Sequence, residues 1–287
     1  MQQVLIQHIS NLLGTQILDT TPVSGGDISQ AYRIDTNDKA YFVKTNPGHS
    51  AFSMFEAEKK GLEAILSSNT IAVPEVLLTG EFQGQSFLVM EMLEHRRATP
   101  DDYEKLGYQL AHMHLVSSPR FGFDDDNYIG SLPQKNNWHN KWTDFYIHCR
   151  LVPQLEMALS RSLISQAEIP PARKMEESLE ALFEGIKPSL LHGDLWNGNY
   201  LIEKTGTPYL IDPAVYYGHC EVDIAMTKLF GGFGDSFYQA YHTIIPLDDK
   251  SHARIEVYKL YYLLVHLNLF GRSYYPQVKR IMETYFN

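Results

Sequence analysis

Cysteine is almost absent. Cys149 and Cys220 are the two in 287 residues, and they form no C-x-x-C pair. No disulfide framework can be built from them, and the expectation is two buried, reduced thiols in a cytoplasmic protein. Twelve histidines are present, but no H-E-x-x-H or paired Cys/His spacing occurs, so zinc has no ligand set. No apolar run approaches the roughly 18–20 residues that span a bilayer. The opening stretch MQQVLIQHISNLLG has neither a basic region nor a small-residue cleavage site. It reads as an amphipathic first helix, with Val4, Leu5, Ile9, Leu12 and Leu13 at helical spacing, and not as a signal peptide. Positive charge is also short: 24 basic residues face 34 acidic ones, a net charge of −10. A nucleic-acid surface needs a basic stripe, so that class is disfavoured, while an anionic ligand held locally is not. No G-x-x-x-x-G-K-[ST] run exists, which argues against a P-loop site. Repeats and low-complexity linkers are missing too.

What is there is an ordinary globular mixture, 44% apolar and 20% charged, long enough for one large domain or two lobes. From Thr20 to about Leu93 the chain is strand-rich. AYRID, the turn TND and KAYFVKT predict a hairpin; SAFSMFEAEKKGLEAILSSN predicts a helix; SFLVMEM predicts a buried strand. Beyond Pro100 the chain turns helical, beginning with DDYEKLGYQLAHMHLVS and continuing in NKWTDFYIHCRLVPQLEMALS, which Pro153 interrupts. The last segment, from about Ala253, is helical and aromatic. The predicted architecture is therefore α+β and two-lobed: a small β-rich lobe over residues 1–93 and a larger, mostly helical lobe over 94–287.

The stretch LLHGDLWNGNYLI, Leu190 to Ile202, holds His192, Asp194 and Asn199 between two short strand-like runs, with Gly193 and Gly198 relaxing the backbone. Asp212 follows at the end of the next hairpin, in YLIDPA. Two carboxylates and an amide oxygen at one rim suit a hard cation such as Mg²⁺, which shares its shell with phosphates. The spacing H-x-D-x-x-x-x-N followed by a metal-binding Asp matches the phosphotransfer arrangement of the protein-kinase architecture, with His-Gly-Asp for His-Arg-Asp and Asp-Pro-Ala for Asp-Phe-Gly. The missing Arg leaves nothing to bind an activation-loop phosphate, as suits a small-molecule kinase. Strand alternation puts Lys44 on the same face as Phe42 and opposite Val43, where it could grip the nucleotide phosphates. Of two acidic partners in the following helix, Glu58 lies on the apolar stripe of Phe55, Leu62, Ile65 and Leu66, whereas Glu56 points away. A carboxylate on an apolar face demands a partner, so Lys44–Glu58 is the expected pair. Gly25 and Gly26, in SGGDISQAY, could form a lid over phosphates through backbone N–H groups. In LVMEMLE, Met90 would face the nucleotide while Glu91 and Leu93 offer main-chain groups to the base.

Together, YFVKTN, MFEAEKKGLEAIL, HGDLWNGN, YLIDPAVYYGHCEVDIAM, LFGGFG and LLVHLNLFGRSYY resemble the fructosamine (ketosamine-3) kinase family, within the aminoglycoside-phosphotransferase branch of the protein-kinase-like fold. The resemblance runs from the first lobe nearly to the C-terminus; one departure is Asp27, a carboxylate in the lid where a smaller residue is expected. It implies ATP-dependent, Mg²⁺-assisted phosphorylation of a ketosamine or glycated lysine at the sugar O3. Asp194 would be the catalytic residue, Asn199 and Asp212 the metal ligands, and Lys44 and Glu58 the phosphate grip. His192 is expected to brace the loop, and Asp223 to cap a helix and tie the loop down. Trp196, Trp138, Trp142 and Glu221 are the candidates for the acceptor side. The tail aromatics Tyr261, Tyr262 and Phe270 are assigned to the core. Another acceptor, such as an aminoglycoside or a choline-like alcohol, and a nucleotide-binding module without turnover stay open as alternatives.

Overall fold

The computed structural model describes residues 1–23 and 29–286. The first helix, α1 (Gln3–Leu13), precedes strands β1 (Ile17–Val23), β2 (Gln30–Thr36) and β3 (Ala40–Asn46). Helix α2 (Ala51–Ser67) then crosses to β4 (Val76–Phe82) and β5 (Gln85–Glu91). The five strands make one antiparallel sheet in the order β1-β2-β3-β5-β4. The period of two sorts the side chains of β3 between two faces. Tyr41 and Val43 join Tyr32, Ile34, Phe87 and Val89 against Leu5 and Ile9 of α1. Phe42 turns to the opposite side, where Leu88 and Met90 meet Phe55, Leu62 and Ile65 of α2. In α1 only Leu5 and Ile9 are buried, while Val4 and Leu12 are exposed, so the apolar spacing of that helix is wider than the face it covers.

Helix α3 (Pro100–His114) opens the helical part. Thr99 and Asp102 form its reciprocal capping box, and Pro100 occupies the first turn, where a missing N–H costs nothing. Gly107 lets α3 approach the helix Asp235–Ile244, because a Cβ there would lie 2.3 Å from the Phe237 carbonyl oxygen. The long helix Ser251–Phe270 is apolar nearly all round, and its buried residues include Val257, Leu260, Leu263, Leu264 and Leu267. That composition marks a helix enclosed by others.

Pro153 does not interrupt the chain as the sequence suggests. A helix at Trp142–Tyr146 widens into a π-helical stretch, Ile147–Leu151, and resumes as Val152–Ser160. Proline offers no N–H to the carbonyl four residues back, and that carbonyl, on Cys149, accepts from Arg150 Nη1 at 2.9 Å. A small hairpin, Asn127–Ile129 with Leu132–Gln134, has no sequence counterpart in the reading above, since strands of three residues carry no legible period. Among the described residues, no helix is long and apolar enough to cross a membrane.

Candidate active site

The loop from His192 to Asn199 leaves the strand Ser189–Leu191 and enters the hairpin Tyr200–Glu203/Pro208–Leu210. It is held from beneath by Asp223, whose carboxylate accepts from the backbone N–H groups of His192 at 2.7 Å and Gly193 at 2.8 Å. Asp223 also faces His114 Nε2 at 3.1 Å. It ties the loop down, but it caps no helix: it is the third residue of the helix Glu221–Leu229. His192 is fully buried, its Nδ1 accepts from the Asp194 N–H at 3.2 Å, and its Nε2 donates to the Ile211 carbonyl at 2.9 Å. Both bonds fit a neutral ring, and burial lowers its pKa. Gly193 has φ +84°, and a Cβ on it would sit 2.1 Å from the Ala214 carbonyl oxygen. Only glycine satisfies both the left-handed backbone and that contact.

Asn199 Nδ2 donates to Asp194 twice, to its carbonyl at 2.8 Å and to its Oδ2 at 3.2 Å. Burial, reinforced by the charges of Asp212 and Asp223, pushes the Asp194 carboxyl up to about 7. Asp212 occupies the left-handed region at φ 54°, unusual for a residue with a Cβ. Its carboxylate meets Lys44 Nζ, which also donates to Glu58 Oε1 at 2.8 Å. Burial opposes the charge on Lys44, yet the two carboxylates hold its pKa above the ordinary value. One cation thus serves two acids. Burial, with the charge of Asp212, pushes Glu58 up to about 7 despite Lys44, whereas Lys44 keeps Asp212 low against its burial. Helix α2 turns Glu58 towards Lys44 and gives Glu56 to the Thr79 hydroxyl. Its stripe is narrower than the sequence suggests, for Leu66 is exposed.

Lys44, Glu58, Asp194, Asn199 and Asp212 line a single cleft of about 1390 Å³ together with Met90, Glu91, Leu93 and Trp196. Typical small-molecule pockets measure roughly 300–1,000 Å³, so the cleft has room for two ligands. Gly25, Gly26 and Asp27 lie outside the described residues; Val23 and Ser29, on either side of them, line the cleft. The cluster is rich in oxygen donors, but no group of three His, Cys, Asp or Glu side chains able to hold a metal occurs among the described residues.

Three acceptor-side candidates do not reach this cleft. Trp142 is 2% exposed and donates from Nε1 to the Tyr258 hydroxyl at 2.9 Å, deep in the aromatic core. Trp138 precedes the helix that begins at Trp142, so helical spacing does not pair the two. It lies against Tyr217, ring centroids 6.3 Å apart, beneath the Arg120 guanidinium. Glu221 is buried in a two-pronged ion pair with Arg254 at 2.6 and 2.7 Å. The sequence reading missed the aromatic side of the cleft: Phe230, His266, Phe270 and Tyr274 line it with Trp196. Phe270, assigned to the core from its sequence, is 54% exposed. The signal was present in LFGGFG and HLNLFGRSYY, but helical aromatics resemble core residues until the burying neighbours are known.

Behind the site, His219 is buried with its Nδ1 on the Tyr258 hydroxyl at 2.9 Å. Burial, then the positive charge of Arg254, pushes it down to about 3. The unfolded chain takes up the proton near pH 6.5, so the contribution of this neutral ring is complete above that pH and fades as pH falls towards 3. Urea unfolding at pH 7, 5.5 and 4 is expected to show the decline, and His219→Gln to flatten it. An equal decline in the variant would discard this origin.

A family model described as fructosamine kinase matches residues 1–287. A Synechocystis protein named as a probable ketoamine kinase is 40% identical over 286 residues, covering 98% of this chain and 95% of the relative. The chloroplastic protein-ribulosamine 3-kinase of Arabidopsis thaliana is 40% identical, covering 94% of this chain and 83% of the relative. A crystal structure assigned to a fructosamine-3-kinase of Haemophilus somnus superposes with a TM-score of 0.89 at 28% identity, covering 99% of this chain and 97% of the other. Aminoglycoside phosphotransferase APH(4)-Ia, in a complex with ADP and hygromycin B, shares the fold at a TM-score of 0.66 and 16% identity, over 98% of this chain and 99% of the other.

Proposed function

This chain belongs to the fructosamine kinase family, and from that premise we propose that it transfers the γ-phosphoryl group of ATP to the O3 hydroxyl of a ketosamine such as ribulosamine or fructosamine, free or on lysine. The observation that carries the reading is the convergence of Lys44, Glu58 and Asp212, from three separate elements, beside the Asp194–Asn199 pair. In this reading residues 1–93 hold the nucleotide, and 94–287 supply the catalytic loop and the acceptor side. Two buried thiols accord with a cytoplasmic setting.

Each residue has a physical task. Lys44 grips nucleotide phosphates and Glu58 keeps its ammonium in place. Met90, Glu91 and Leu93 border the base, and Gly25 and Gly26 are assigned to the lid on sequence alone. Asp194 accepts the proton of the attacking hydroxyl, a task suited to a carboxyl raised towards neutrality. The donor set fits Mg²⁺: Asn199 uses its Nδ2 on Asp194, which leaves the amide oxygen for a cation, and Asp212 adds a carboxylate. Two protein oxygens suffice for an ion that also takes water and phosphate oxygens. When bound, Mg²⁺ neutralises charge on the transferring phosphoryl group. Trp196 and its aromatic neighbours offer ring faces to a sugar or a cationic amine.

ADP release measured with ribulosyl-lysine, fructosyl-lysine and kanamycin at matched Mg-ATP tests the reading. Either ketosamine is expected to exceed kanamycin by at least about a hundredfold in kcat/KM. A preference for kanamycin would transfer the protein to another acceptor class.

A further inference from the structure

We propose that the hairpin Asn127–Gln134 is a strut that fixes α2 relative to the catalytic loop, with Tyr128 and Gln134 as positioning residues for phosphoryl transfer. The inference rests on the kinase reading for its turnover assay, while its mechanical content does not. On the face that carries Tyr128 the hairpin is fastened to α2. The Tyr128 hydroxyl lies 2.8 Å from Ser53 Oγ, and Asp125, two residues before the hairpin, accepts from Lys60 Nζ at 2.7 Å through its Oδ2. Ser53 and Lys60 are seven residues apart, two turns along one face of the helix that carries Glu58.

On the opposite face, to which the pleat turns the facing pair Asn127 and Gln134, the hairpin grips the chain just beyond Asp212. Gln134 Nε2 donates to the Ala214 carbonyl at 3.2 Å, and Asn127 Nδ2 to the Val215 carbonyl at 2.8 Å. The Ala214 N–H donates to the His192 carbonyl at 2.8 Å, so Ala214 connects the hairpin to the catalytic loop. Its carbonyl is also the atom that excludes a side chain at Gly193. Every side-chain amide nitrogen and oxygen of Asn127, Gln134 and Asn136 has a partner. Gln134 Nε2 reaches Asn127 Oδ1 at 2.7 Å, and Gln134 Oε1 accepts from the Tyr261 hydroxyl at 2.6 Å. Asn136 Nδ2 donates to Asn127 Oδ1 at 3.0 Å, while its Oδ1 accepts from the fully buried Arg150 at 2.7 Å.

Apolar residues would fill this space at lower risk, since each buried amide costs stability if any partner is lost. What the amides add is direction: they fix one position of the Asp212–Val215 segment against one position of the hairpin. The turn at Gly130 and Ser131 reaches the cleft itself. Lys44 can span Glu58 and Asp212 only when α2 and the Asp212–Val215 segment keep their spacing, and the hairpin is fastened to both.

The test uses exposed groups first. Ser53→Ala with Lys60→Ala removes both fastenings to α2 without touching the cleft floor. The variant is expected to lose about tenfold in kcat with an unchanged melting temperature and nearly unchanged KM for ATP, and Ser53→Thr with Lys60→Arg to restore the rate. A kcat within twofold of the parent, or equal losses in both pairs, would overturn the strut. Should the parent phosphorylate no ketosamine, the functional reading fails on its own, and hydrogen exchange decides the strut. Tyr128→Phe and Gln134→Met are then each expected to raise exchange of the α2 amides, residues 51–67, in a protein that still melts cooperatively. Unchanged protection of α2 in both variants would refute it.

Discussion

Asp194→Asn is expected to lower kcat by roughly 10²–10⁴-fold, the range for loss of a positioned general base, while nucleotide binding survives. The substitution keeps shape and removes the proton acceptor. An asparagine at 194 can turn its amide oxygen towards Asn199 Nδ2, which now lies 3.2 Å from Asp194 Oδ2, so the loop keeps its closing hydrogen bond. The main-chain bond from Asn199 Nδ2 to the residue-194 carbonyl at 2.8 Å is untouched. Lys44, Glu58 and Asp212 form their own cluster and do not depend on the charge at 194 for their contacts. Removing that charge also relieves repulsion with Asp212 and Asp223, two of the causes that raise the Asp194 carboxyl. Calorimetric titration with Mg-ATP and a coupled ADP assay on the same preparation separate the two effects. Near-parental turnover would remove Asp194 from the chemistry, and joint loss of binding and turnover would make it part of the nucleotide site.

The sequence disclosed the cleft's polar groups because their placement follows local periodicities. Alternation along YFVKT put Lys44 opposite Val43, and Val43 is buried against α1 as that pattern requires. Helical spacing separated Glu58 from Glu56 before any partner was known. Asp194 and Asn199 are five residues apart in one loop, so their proximity needed only a turn. Residues whose surroundings come from distant segments were misread. Glu221 looks like an exposed acid until Arg254, thirty-three positions on, is seen beside it. Trp142 looks available for stacking until Tyr258 and Phe145 surround it. Phe270 failed in the opposite direction, since an aromatic near the end of an apolar helix looks buried when the helix in fact ends at the cleft. The hairpin Asn127–Gln134 is too short to show a period, and its amides have no apolar pattern to announce them.

Glu221 supplies the other large expected effect, on stability and not on turnover. Its carboxylate and the Arg254 guanidinium are both under 10% exposed, and removing one member of such a pair strands a buried charge, at a cost of about 3–5 kcal/mol. The two members are not equivalent. Without Glu221, Arg254 keeps Asp248 at 2.8 Å and the Ser251 hydroxyl at 3.0 Å. Without Arg254, Glu221 has His219, 3.7 Å away, as its one cationic candidate among the described residues, and burial, the largest cause acting on that ring, still opposes a charge on it. Arg254→Met is therefore expected to reach the upper part of the range and Glu221→Leu the lower part, with the double variant losing less than the sum because it leaves no stranded charge. Urea unfolding of the three variants checks the order. The acceptor KM distinguishes this from a substrate role: Glu221 does not line the cleft, so Glu221→Leu should lower the unfolding midpoint and leave the KM for a ketosamine unaltered. A raised KM with an intact midpoint would return Glu221 to the acceptor side and reverse the assignment made from its burial.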